Sequence, residues 1–157
     1  MGGWADFAVV MGAATASLLG LLFVAVSIRV ETIAASAELR NRCGQTLTLL
    51  LTGLIVAALL AVPDQPKWTL GTEYLVLALV VTAVAVTLDR RTGTRSAIGR
   101  WLDAINPTFI TCSLLVITGV ILILGHENGL YVLVPALIAV LVGGVLNAWL
   151  VLVRLTD

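Results

Sequence analysis

From Phe7 to Ile28 the chain carries no charged side chain, and four more long apolar stretches follow it, at roughly 46–63, 71–88, 108–125 and 130–153. This pattern restricts the fold more than any single motif. A helix rises about 1.5 Å per residue, so about 17–25 apolar residues cross the hydrocarbon core of a bilayer. Lipid offers no hydrogen-bond partner to a backbone amide, so a spanning segment must be a helix or a strand of a closed barrel. These segments are too long and too uniformly apolar for barrel strands. Composition agrees: 60% of the 157 residues are hydrophobic and 11% charged, and mean hydropathy is +1.10. Soluble domains average about 25% charged residues, and a small one has too much surface for its volume to hide this much apolar area. The expected fold is an all-α integral membrane protein, a single transmembrane domain over 1–157 built as a bundle of five helices.

The connections fit this division. Pro63, Asp64, Gln65 and Pro66 read as a turn after the second span, and Gly125, Asn128 and Gly129 as a tight link between the fourth and fifth. Asn106-Pro107 opens the fourth span, with proline in the first turn, where its missing N–H costs nothing. The start of the chain lacks the basic stretch and small-residue cleavage site of a removed signal peptide, so 7–28 reads as the first span.

Eight of the nine Lys and Arg residues then fall on one side: Arg29, Arg40 and Arg42, then Arg90, Arg91, Arg95 and Arg100, then Arg154. Lys67 alone falls on the other. The positive-inside rule places the N-terminus outside and the C-terminus in the cytoplasm. Arg90, Arg91, Arg95 and Arg100 form a cytoplasmic basic face. Trp4, Trp68, Tyr74 and Tyr131 fall at outer ends of spans, and Trp101 and Trp149 near inner ends. Trp4, Trp68, Trp101 and Trp149 are therefore expected as interface anchors, since an indole has an apolar body and one polar group. Segment 95–106 places Ala97, Ile98, Trp101, Leu102 and Ile105 on one helical stripe, as expected of a short amphipathic helix lying in the interface. Segment 30–42 shows a weaker version of the same pattern.

Small residues recur at helical spacing within two spans. In the first, Gly12, Ala16 and Gly20 are four apart, widened by Ala13 and Ser17; in the fifth, Ala136, Ala139, Gly143 and Asn147 line one side, beside Gly144. In lipid, helices associate by close van der Waals contact and interhelical hydrogen bonds, and small side chains let backbones approach. Gly12, Ala13, Ala16, Ser17, Gly20, Ala139, Gly143 and Asn147 are the expected packing positions. The leading expectation is that the first and fifth spans pack together within one chain; the competing one is that one face is a subunit interface.

Asn147 is the most polar residue deep in a span, and its amide needs a partner such as Ser17, or a polar lining. Gln45, Thr48 and Thr52 in the second span, and Thr111 and Thr118 in the fourth, could with Asn147 line a narrow polar path. Each hydroxyl can equally bond the carbonyl four residues earlier in its own helix. No acid or base stands at mid-membrane, which argues against proton- or ion-coupled transport. Cys43, Cys112 and His126 lie too far apart for a metal or catalytic cluster, and Cys112 reads as a small buried apolar residue. No cofactor, metal or catalytic residue is expected, and zero net charge gives no case for nucleic acid.

The stretches GLLFVAVSI (20–28), QTLTLLL (45–51) and GGVLNAWLVLV (143–153) together resemble a family of small, uncharacterised polytopic inner-membrane proteins from GC-rich bacteria. That resemblance implies a multi-pass protein of the bacterial inner membrane and carries over no site residue. Arginine in place of lysine, with heavy Ala, Val and Leu use, agrees with such a genome. The expected role is non-enzymatic: an accessory or scaffold subunit, or a homo-oligomer, with the bilayer and a membrane-protein partner around it. The alternative is an oligomeric channel or small-solute pore.

Overall fold

The computed structural model describes residues 2–90, 107–126 and 128–154, and every element among them is helical. In chain order these are α1 (Gly2–Ile28), α2 (Val30–Ala35), α3 (Ala37–Ala61), α4 (Lys67–Arg90), α5 (Pro107–Ile123) and α6 (Gly129–Arg154). Four of them, α1, α3, α4 and α6, are long and apolar enough to cross a membrane, and α5 is a shorter apolar helix of 17 residues.

Local chemistry sets the boundaries. Ser36, in an extended conformation, separates α2 from α3, and its hydroxyl accepts the Leu39 amide at 3.4 Å as an N-cap. The second long helix therefore begins at Ala37, well before 46. The residues expected to lie along the interface at 30–42 are divided between the six-residue α2 and the first turns of α3. Asp64 takes a positive φ of 53° in the turn between Pro63 and Pro66. Pro107 is the first described residue of α5. Gly125, at φ 84°, ends it: His126 N–H reaches Ile121 O and Gly125 N–H reaches Leu122 O, the paired bonds of a Schellman motif. Pro135 lies inside α6, where its ring removes the donor that would have satisfied the Tyr131 carbonyl.

Helices α3, α4, α5 and α6 close into a ring, each packed on the next and α6 returning to α3, while α1 lies outside against α3. Close pairs give the directions. Gly44 faces Leu88, Gly71 faces Gly119, Gly129 faces Leu122, and Gly53 faces Val140, so every neighbouring pair in the ring is antiparallel. Thr15 against Gly53 and Gly12 against Ala57 make α1 antiparallel to α3. The largest core cluster gathers Met11 of α1, Val56 of α3, Tyr74 of α4, Leu115 and Leu122 of α5, and Leu133 and Leu137 of α6. A second cluster joins Leu22, Leu49, Leu50 and Val140.

The first and last long helices do not form the main contact expected of them. Helix α1 packs chiefly on α3 and meets α6 at its margins, where Trp4 stands edge-on to Tyr131 with ring centroids 5.2 Å apart. The reason lies in α3. Gly53 and Ala57, four residues apart, give α1 a close seat of their own: a Cβ on Gly53 would stand 3.0 Å from Thr15 Cγ2, and one on Gly12 3.4 Å from Ala57 Cβ.

Candidate functional site: the two faces of the first helix and the polar interior

The buried line of α1 is Ala8, Met11, Thr15 and Leu22, at three-, four- and seven-residue spacing that holds one face of a helix. Gly12 borders it. Ala13, Ala16, Ser17 and Gly20 are exposed on the other side, and a Cβ on Gly20 would meet nothing within 4 Å. Ser17 donates to its own Ala13 carbonyl at 2.8 Å on the exposed side of α1. Of these five small positions Gly12 alone is not exposed among the described residues, and a Cβ on it would lie 3.4 Å from Ala57 Cβ.

The small residues of α6 are used differently. Gly143 and Gly144 are buried; a Cβ on Gly143 would meet Pro107 of α5 and stand 3.2 Å from Leu49 of α3, and one on Gly144 would stand 2.6 Å from Leu50. Ala136 is buried, and Ala139 and Asn147 are half-buried. This face closes the ring against α3 and α5.

Sequence reasoning missed the place where two glycines bring backbone against backbone. On α4 and α5 a Cβ on Gly71 would stand 2.8 Å from the Gly119 carbonyl oxygen, and one on Gly119 the same distance from the Gly71 oxygen. The signal was present as heptad spacing, with Gly71, Ala78 and Ala85 on α4 opposite Cys112 and Gly119 on α5. Cys112 is buried beside Thr82. Tyr74, expected at the interface with the other aromatics, falls on the same inward line. It is 0% exposed, while Trp68 and Tyr131 are 64% and 68% exposed. Trp149 is also exposed, and Trp4 is half-buried against Phe7 and Tyr131.

The polar positions divide by helix. On α3, Thr48 donates to Gly44 O at 2.8 Å and Thr52 to Thr48 O at 2.7 Å, and Gln45 is half-buried. On α5, Thr111 and Thr118 are buried, and neither hydroxyl has a hydrogen-bond partner among the described residues. Helices α3 and α5 stand across the ring and touch only lightly. Near the opposite end of the bundle from Pro107, Gln65 Nε2 donates to the Glu73 carboxylate at 2.6 Å. An open, mainly apolar groove of about 660 Å³ runs along α4, lined by Ala78, Leu79, Thr82, Ala83, Val86 and Val116 among others. Among the described residues no three His, Cys, Asp or Glu side chains converge as metal ligands would.

Arg90 is the last residue of α4. Arg91, Arg95, Arg100, Trp101 and the amphipathic segment 95–106 lie outside the described residues. Comparison with protein-family models, curated proteins and solved structures finds no match to this chain.

Proposed function

We propose that this chain is a non-enzymatic subunit of a bacterial inner-membrane assembly, with five spans, an external N-terminus, and the outer face of α1 as its docking surface. The observation that carries the reading is the outward position of Ala13, Ala16, Ser17 and Gly20, a smooth stripe that α3 leaves unused. In lipid such a stripe favours close approach of a second helix, because bulky side chains are absent where the backbones would meet. The occupant is a second copy of the chain or another membrane protein. The test is native mass spectrometry in mild detergent, on the wild type and on Ala16→Leu. The expected result is a defined complex that Ala16→Leu dissociates while the subunit itself stays folded. A wild-type monomer without bound protein, or a complex indifferent to Ala16→Leu, would remove the reading.

An oligomeric pore is the second reading, and the buried, unpartnered Thr111 and Thr118 hydroxyls are what favour it. It requires conductance in liposomes that Asn147→Leu alters. Liposomes that stay electrically silent at a defined oligomeric state leave the scaffold role in place and remove the pore.

A further inference from the structure

Most helical hydroxyls among the described residues close onto their own backbone. Thr15, Thr46, Thr52 and Thr82 each donate to the carbonyl four residues earlier, at 2.7–2.9 Å. Thr118 does not, although it is fully buried, and neither does Thr111. The Tyr74 hydroxyl shares this condition: the side chain is 0% exposed and its oxygen has no hydrogen-bond partner among the described residues. A buried hydroxyl left without a partner carries its full desolvation penalty, so such groups in native proteins are met by ordered water when no side chain reaches them.

Two of these hydroxyls belong to facing helices at the same level of the bundle. Gly71 meets Gly119, and Cys112 lies beside Thr82, so the antiparallel register of α4 and α5 sets Tyr74 level with Thr118. Both face inward. Thr118 sits between Leu115 and Leu122 on the buried side of α5, and those two leucines share one core cluster with Tyr74. Thr111 is seven residues away along α5, about 10 Å at the rise of a helix, too far for one water to serve it as well.

We infer that the interior of the α3–α6 ring binds an ordered water between the Tyr74 and Thr118 hydroxyls. Water suits the site because each hydroxyl both donates and accepts, and a single molecule can answer both. Its role is to hydrate the α4–α5 crossing from inside, where the glycines bring the two backbones together.

The test is a double-substitution cycle read as thermal midpoint in detergent. Tyr74→Phe and Thr118→Val each remove one partner of the water with little change in shape. Each is expected to lower the midpoint by about 2–4 °C. The double variant is expected to fall no further than the worse single, since the water is lost once. Tyr74→Phe with Thr111→Val is expected to be additive. Midpoints that rise in the single variants, as when a partnerless hydroxyl is deleted, would overturn the inference, and so would additive losses in the Tyr74–Thr118 pair. Should the double variant not fold, water-edited NMR of the wild type decides. Rapid magnetisation transfer from water to the Thr118 side chain, abolished in Tyr74→Phe, supports the bound water, and a dry Thr118 overturns it.

Discussion

Gly71 and Gly119 stand where α4 and α5 cross, and the atom a methyl group would strike at each is a backbone oxygen at 2.8 Å. A side chain could rotate aside, but a helical carbonyl cannot move without its helix. Gly119→Ala is therefore expected to cost about 1–3 kcal/mol as overpacking, measured by chemical denaturation in detergent. Gly20→Ala adds the same methyl on the open side of α1, where nothing lies within 4 Å. In the dissociated subunit it is expected to be neutral in overpacking and to gain up to about 1 kcal/mol of helix propensity. Equal destabilisation by the two substitutions would contradict the packing described for both. The smallness of these residues is visible in the sequence. Which glycine faces a backbone and which faces outward is not, because the side-chain identity is the same in both settings.

Individual helices carry their boundaries in local chemistry. Gly125 at the end of α5 and the Pro63–Pro66 turn are both legible from the chain, since each residue type forces or permits a backbone conformation by itself. The Ser36 cap lengthens α3 back to Ala37, beyond the apolar run that begins at 46. Ser36→Ala removes the acceptor for the Leu39 amide. The expected loss is about 0.5–1 kcal/mol, the low end of the range for an N-cap, because the bond is long. Hydrogen exchange should show the first turn of α3 fraying while Thr46–Ala61 stays protected. Unchanged protection at Leu39 would mean that the serine does not hold the helix start. Helix α1 presents a different case: it is apolar around its whole circumference, so no periodic polar face marks which side turns inward.

At the scale of the molecule, antiparallel neighbours and an external α1 give a path in which successive long helices alternate in direction. If α5 crosses the bilayer with the others, Ser36 and Arg154 lie on the basic side and Lys67 and Trp68 on the other. This is testable with single cysteines in a variant whose Cys43 and Cys112 are replaced. A cysteine at Trp68, an exposed position, is expected to react with an impermeant maleimide applied to intact cells. One at Ser36 is expected to react only after permeabilisation. The reverse result would invert the topology, and labelling of both sites from one side would break the alternation of spans.

Composition and the lengths of the uncharged runs were enough to require apolar helices, because a backbone in lipid has to satisfy itself. Proline, glycine and the turn residues were enough to place most of the helix ends. The partner of each helix was decided only in the tertiary structure. Two small-residue stripes, on α1 and α6, suggested a pair, yet Gly143 and Gly144 of α6 are taken by α3 and α5, and α1 is seated on Gly53 and Ala57 through its opposite side. The physical reason is that a membrane-spanning helix is apolar on its lipid face and on its protein face alike. Burial of hydrophobic surface, which in water would mark the inward side, distinguishes neither, and the choice falls to shape complementarity between helices far apart in the chain.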